Sequence, residues 1–168
     1  LTYLIIYVPR FDYIQGRIFS FFNRETGTHN FQSDKAIESI TSGGFFGKGI
    51  GEGVLKNRVP EAHTDYIISV ISEEFGVVAI MLILLLFLIL IYMVFKKISF
   101  ETNDKVKLIL IGSISLILMQ ATIHVGVNIR LFPTTGMTLP FLSYGGSSII
   151  STSILGGIIL NLTKRKIT

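Results

Sequence analysis

Three apolar runs decide what this chain can fold into. Phe75 to Phe95, Val106 to Val127 and Phe141 to Leu162 each reach the ~20 residues that cross a bilayer as a helix. The fold class that follows is all-α and integral to the membrane, a polytopic helical bundle. Transmembrane helices are expected over 67–95, 106–127 and 141–162, with Leu1 to Val8 as the end of a further, truncated one. The chain, 1–168, then belongs to a single membrane domain whose largest connection is a loop over 9–66.

Composition narrows the function classes. With 49% of residues apolar, a mean hydropathy of +0.62 and three runs of membrane length, a soluble domain is excluded. With no cysteine, neither a disulfide framework nor a thiolate metal site can form. The net charge of +4 is carried in loops and ends, which reads as membrane topology and not as nucleic-acid binding. Lys96, Lys97, Lys105 and Lys107 flank one short connection, and Lys164, Arg165 and Lys166 follow the last span. If the helices alternate, both clusters share a side, and that side is cytoplasmic. The 9–66 loop and a second loop, Asn128 to Pro140, then face outward.

The long loop holds several signals. Phe11, Ile14, Ile18, Phe21 and Phe22 recur at helical spacing, either as an amphipathic helix in the headgroup plane or as a packed loop helix. A short helix is expected over Phe31 to Thr41, with Ser33 as its N-cap and Asp34 in its first turn. Ser42 to Gly53 contains six glycines but fits neither the Walker pattern nor GxGxxG. It is a flexible turn near the bilayer, or it brings Lys48 and bare backbone amides to an anionic head group.

The densest chemistry lies in Pro60-Glu61-Ala62-His63-Thr64-Asp65. A helix starting at Pro60 would put Glu61 and Asp65 on one face, continued by Ser69 and Glu73. Glu73 and Glu74 would then sit at the membrane edge with Asp65 beyond, unless a break near Gly76 folds that end back over the bundle. Asp65 reads as a helix-end carboxylate or half of an ion pair, or as a general base. Glu61 and Asp65 could also form a glycosidase-type carboxylate pair, although a site at a lipid edge favours a lipid-linked donor. Glu61, His63 and Asp65 do not have a recognised zinc spacing; their donors suit Mg²⁺ or Mn²⁺ bridging to a substrate. In the second loop, Pro133, Gly136 and Pro140 fix a tight backbone that reads as facing Asp65 across a groove. The small residues Ser147, Ser151, Ser153, Gly156 and Gly157 of the last span read first as helix packing. Gln120 and His124 are the polar residues of the middle span.

Pro60-Glu61-Ala62-His63-Thr64-Asp65-Tyr66-Ile67, followed by Glu73-Glu74-Phe75-Gly76, resembles the signature of the SEDS family. These are bacterial membrane glycosyltransferases that polymerise lipid II into peptidoglycan strands. The preceding Gly-Gly-x-x-Gly-x-Gly resembles the same family. So do Asn128, Pro133 to Phe141 and Ser143 to Ser148. Ala62 is similar to the cell-division branch (FtsW) more than to the elongation branch (RodA). The resemblance implies a multi-pass inner-membrane protein of about ten helices, of which this chain is the C-terminal part. Asp65 is implied as the catalytic base. Lys48, Glu61, His63, Asn128, Thr135, Thr138, Ser143, Tyr144, Gly145 and Ser147 are implied as substrate contacts. The implied partners are lipid II, a class B penicillin-binding transpeptidase and other division proteins. The competing readings are a lipid II flippase or transporter, a non-catalytic division scaffold, and an elongation-type polymerase. Two residues depart from the family pattern: Arg130 stands where a glycine is common and His124 where an asparagine is common.

The charge pattern sets a topological test. Cysteines introduced at Asn57 and Thr134 of the full-length protein should react with a membrane-impermeant thiol reagent added to intact cells, and one at Asn103 should not. Labelling at 103 alone would invert the orientation.

Overall fold

The computed structural model describes residues 28–59 and 62–164. The described residues form five helices: α1 (Thr28–Gly43), α2 (Leu55–Arg58), α3 (Ile67–Phe100), α4 (Asp104–Asn128) and α5 (Gly146–Thr163). The last three are long and apolar enough to cross a membrane. The expectations for Leu1 to Val8, for the Phe11 to Phe22 helix and for Glu61 fall outside the described residues.

The spans run longer or shorter than their apolar runs for local reasons. Helix α3 continues past Phe95 to Phe100, carrying Lys96 and Lys97 out of the apolar zone, and Lys97 pairs with Glu101 at 2.9 Å. At the start of α4, the Asn103 side chain accepts from the Lys105 amide at 3.0 Å, satisfying an N–H that the helix itself cannot. Helix α5 begins at Gly146 and not at Phe141. The amides of Leu142 and Ser143 both turn back onto the Leu139 carbonyl, which makes this stretch a turn.

Two expectations about the long loop are corrected. Helix α1 begins at Thr28, so Ser33 lies inside it and is not its N-cap. The Ser33 hydroxyl instead meets the Tyr66 hydroxyl at 3.3 Å, a tertiary contact that a local reading cannot see. No helix runs from the Pro60 motif into the membrane: residues 62–66 are turn, and α3 starts at Ile67. Ser69 and Glu73 therefore share a helical face without Asp65.

The break near Gly76 is present. Gly76 has φ 79° and ψ 179°, a combination that essentially only glycine adopts. In an unbroken helix the carbonyls of Glu73 and Glu74 would receive the amides of Val77 and Gly76's second neighbour, Val78. Here the glycine-rich loop intervenes. Lys48 and Gly49 amides donate to the carbonyls of Glu73 (2.8 Å) and Glu74 (3.1 Å), and the Val77 and Val78 amides donate to the carbonyls of Gly44 (3.0 Å) and Phe45 (3.4 Å). The loop is thus spliced into the helix. That insertion needs bare backbone on both sides. A Cβ at Gly76 would lie 2.1 Å from the Phe45 carbonyl oxygen, and one at Gly47 would lie 2.2 Å from that of Glu74.

Three apolar clusters hold the helices. Val94, Leu110, Ile114, Ile117 and Ile159 join α3, α4 and α5 within the membrane. Ile68, Ala121 and Leu139 join α3 and α4 to the second loop. Ala36, Leu55, Val59, Ala62, Tyr66, Val70 and Val127 pack α1 and α2 against the broken end of α3. This last cluster is the floor under Asp65, because Ala62 and Tyr66 bracket it in sequence and are both 1% exposed.

The splice predicts opposite signs for two glycine replacements. Gly76→Ala forces a Cβ into backbone and should cost on the order of 2–4 kcal/mol. Gly112→Ala in α4, where nothing lies within 4 Å of the new methyl, should be neutral or stabilising by up to ~1 kcal/mol. Thermal unfolding of the detergent-solubilised protein would compare them, and equal effects would count against the splice.

Candidate active site

Asp65 is held by its backbone. Three successive carbonyls of the motif are bonded by elements far away in sequence. The Tyr144 amide donates to the His63 carbonyl at 3.1 Å. The Ser143 hydroxyl donates to the Thr64 carbonyl at 2.8 Å. The Asn128 amide donates to the Asp65 carbonyl at 3.0 Å. With the carbonyls tied back, His63 is exposed and Thr64 and Asp65 are half-buried. They line a cavity of about 490 Å³ together with Gly136, Thr138, Tyr144 and Gly145. The second loop does face Asp65 across this space. Gly136, at φ 69°, brings the loop close: a Cβ there would lie 3.9 Å from Asp65 Oδ2.

The wall opposite Asp65 is fixed by one row of polar side chains on α4, each a helical turn from the next. Gln120 Nε2 lies 3.0 Å from the Thr138 carbonyl, 3.3 Å from Thr138 Oγ1 and 3.2 Å from Ser148 Oγ. Thr138 Oγ1 in turn donates to Ser148 Oγ at 2.5 Å. His124 Nδ1 lies 2.8 Å from the Met137 carbonyl, so Nδ1 carries the proton. Asn128 satisfies all of its amide. Its Oδ1 accepts from the Ser69 amide (3.2 Å) and hydroxyl (2.7 Å), and its Nδ2 donates to the carbonyls of Asp65 and His124. The row therefore ties α5, the second loop, α3 and the Asp65 turn to a single helix.

The residues expected to contact substrate separate into groups. His63, Thr138, Tyr144 and Gly145 line the Asp65 cavity. Asn128 and Ser143 are 0% and 2% exposed and act behind the cavity, through the backbone they hold. Thr135 and Ser147 are exposed and do not line it. Lys48 lies elsewhere, in a cavity of about 170 Å³ with Lys35, Glu38, Arg58 and Glu73. There its Nζ pairs with Glu73 Oε1 at 2.9 Å. Glu73 Oε2 accepts from the amides of Val54 (3.1 Å) and Leu55 (3.0 Å), so this buried carboxylate is bonded on both oxygens. In the same cavity Lys35, hydrogen-bonded to Glu38, holds that carboxyl below the ordinary carboxylate range. The amides of Gly47, Lys48 and Gly49, expected to be bare, are all committed to carbonyls within the protein.

Thr64 and Gly136 line the cavity although no role was read for them. Thr64 lies between His63 and Asp65 in the Pro60 to Asp65 motif, and the sequence marks Gly136 only as a turn former. Arg130 neither reaches toward lipid nor stands alone: it pairs with Asp34 of α1 and sits at φ 60°, in the left-handed region that favours glycine. Among the described residues no three His, Asp or Glu side chains converge as a metal site.

The model of the FtsW, RodA and SpoVE family, described as cell cycle protein, matches residues 1–167. The chain belongs to this family. It is 39% identical over 138 residues to the protein named "probable peptidoglycan glycosyltransferase FtsW" of Enterococcus hirae, covering 82% of this chain and 35% of that one. The Caulobacter vibrioides protein of the same name is 38% identical over 158 residues, covering 93% of this chain and 40% of that one. That of Geobacter metallireducens is 36% identical over 168 residues, covering 98% and 45%. The chain therefore spans less than half the length of these FtsW relatives. The family match and the three apolar helices make it a polytopic inner-membrane protein.

The tethers predict a steep contrast within the family motif. Asn128→Ala removes a fully buried amide and strands the polar groups of Ser69, Asp65 and His124. This should cost on the order of 2–4 kcal/mol. Tyr144→Ala, at a residue 79% exposed, should change stability by less than ~0.5 kcal/mol. The unfolding midpoints of the two variants in detergent check it.

Proposed function

We propose that this chain is the catalytic, C-terminal part of an FtsW-type peptidoglycan glycosyltransferase, which polymerises lipid II into glycan strands during division, with Asp65 as general base. The observation that carries the reading is the placement of Asp65. It lines a cavity bounded by both outer loops, at the membrane edge of the bundle, on a turn locked by three successive backbone tethers. The names of the FtsW relatives support the reaction class.

The chemistry fits a carboxylate so placed. In the growth step, Asp65 takes the proton of the acceptor sugar hydroxyl as that oxygen bonds to the anomeric carbon of the donor sugar. The bond from that carbon to the lipid diphosphate breaks, and the electron pair leaves with the diphosphate. Rigid backbone tethers keep the carboxylate at one place while two large lipid-linked substrates come and go. His63, Thr138, Tyr144 and Gly145 are then the sugar or phosphate contacts.

The developing charge on the diphosphate needs a cation. Lys48 is committed to Glu73, so in this chain it contributes to the shape of the site. Among the described residues Asp65 is the one carboxylate lining this cavity, so a Mg²⁺ or Mn²⁺ ion there would draw most of its oxygens from the diphosphate and water. That is a bridging role of the kind Mg²⁺ favours. The class B transpeptidase that would cross-link the product is the natural partner, since the nascent strand leaves on the face where this cavity opens.

Asp65→Asn tests the assignment, because it keeps size and hydrogen bonding but cannot take up a proton. In the full-length protein with its transpeptidase, polymerisation of purified lipid II should fall ~10²- to 10⁴-fold. Unfolding midpoint and partner recovery should stay at the parent level. Polymer formation at the parent rate would remove Asp65 from the mechanism.

A further inference from the structure

We infer that the glycine-rich loop of residues 44–50 is seated in the bilayer, with Phe45, Phe46 and Ile50 entering the acyl-chain edge of the leaflet on the Asp65 side. These are among the most exposed large apolar side chains, at 75%, 86% and 80%. Scattered exposed apolar residues need no explanation, but three in one short loop form a patch that calls for a covering phase.

The level of the loop is fixed by its hydrogen bonds. The carbonyls of Gly44 and Phe45 accept from Val77 and Val78, the residues just past the break in α3. Those residues open the apolar run that crosses the hydrocarbon. From Val78 down, α3 exposes Met81, Leu82 and Leu85 by more than half, so the loop's apolar side chains sit at the level where the lipid-facing surface begins. Irregular backbone is tolerated at that level where protein satisfies its polar groups, and several groups of this loop are satisfied in that way. The amides of Gly47, Lys48 and Gly49 and the carbonyls of Gly44 and Phe45 are all bonded within the chain. Its one charge, Lys48, is turned onto Glu73. Glu52, exposed and charged, marks where the chain leaves this level.

The inference stands on the membrane-spanning fold and not on the catalytic reading. Its consequence for the site is height: a lipid-seated loop, spliced into α3 and joined to α2 through Glu73, sets how far above the acyl chains the Asp65 cavity rides.

The test uses the full-length protein in a cysteine-free background, reconstituted into phosphatidylethanolamine and phosphatidylglycerol vesicles. Phe46→Cys, Ile50→Cys and Glu52→Cys are each labelled with an environment-sensitive fluorophore. They are quenched by lipids bearing a nitroxide near the head of the acyl chain or by iodide in water. Positions 46 and 50 should be quenched several-fold more by the lipid nitroxide than position 52, and position 52 several-fold more by iodide. Iodide quenching at 46 and 50 equal to that at 52 would place the loop in water and overturn the inference. Protection of 46 and 50 from both quenchers would overturn it too, by showing that another protein segment covers the patch. Because the two sites report independently, distortion at one replaced phenylalanine leaves the other to decide.

Discussion

A helix cannot break at the edge of a bilayer unless something takes over its hydrogen bonds. Each unsatisfied amide or carbonyl there costs several kcal/mol by the scale of polar burial. The break at Gly76 releases two carbonyls and two amides, and the loop from Gly44 to Gly49 takes up all four. Everything on the membrane's edge follows from that exchange. It places Lys48 beside Glu73, and Glu73 accepts the first amides of α2, so the chain from Gly44 to Arg58 is wrapped around the end of α3. The apolar cluster under the Asp65 turn is then assembled from α1, α2, α3 and the end of α4. The glycines are required by contact: real Cβ atoms would stand about 2 Å from backbone oxygen.

The site built on this base separates support from chemistry. The side chains of Asn128 and Ser143 bond to the backbone of the motif, and His63, Thr64 and Asp65 line the cavity. These backbone tethers come from other elements, Asn128 of α4 and Ser143 and Tyr144 just before α5. They also make the site composite. Residues from the first loop and from the second meet only because α4 and the first turn of α5 hold both.

The gross design was legible in the sequence because hydropathy is a local property. Three spans, their ends within a few residues, and two loops on one side could be read from run length and lysine placement. The motif containing Asp65 was legible for the same reason, since its residues are contiguous. What was not legible depends on partners distant in the chain. Ser33 looked like a helix cap because its partner, Tyr66, is on another element. Pro60 looked like a helix start because the forces that make 62–66 a turn come from Tyr144, Ser143 and Asn128. The glycine run looked like a turn or an anion loop because nothing local says that a helix 30 residues on has a gap to fill. For the same reason the sequence offers a head-group contact for Lys48 as one of two readings and puts Glu73 at the membrane edge, whereas Glu73 is 2% exposed.

The polar residues in the middle of α4 need separate treatment, because a polar row inside a span is also the mark of a transport path. Gln120 directs its amide at Thr138 and Ser148, His124 its protonated nitrogen at Met137, and Asn128 its amide at Asp65 and at its own helix. A path for a polar solute would leave such groups toward a water-filled lumen. Here three successive turns of one helix close onto neighbouring segments: Gln120 and His124 onto the second loop, Gln120 also onto α5, and Asn128 onto the Asp65 turn and α3. The exception is His124 Nε2, buried without a hydrogen-bond partner, which shows that even this row is not fully satisfied. Its ring is nevertheless held by Nδ1, so the missing bond weakens one rung and leaves the frame intact. Polar groups are costly in a span and are retained where they fix geometry. In this chain the geometry they fix is the distance between Asp65 and the loop that faces it.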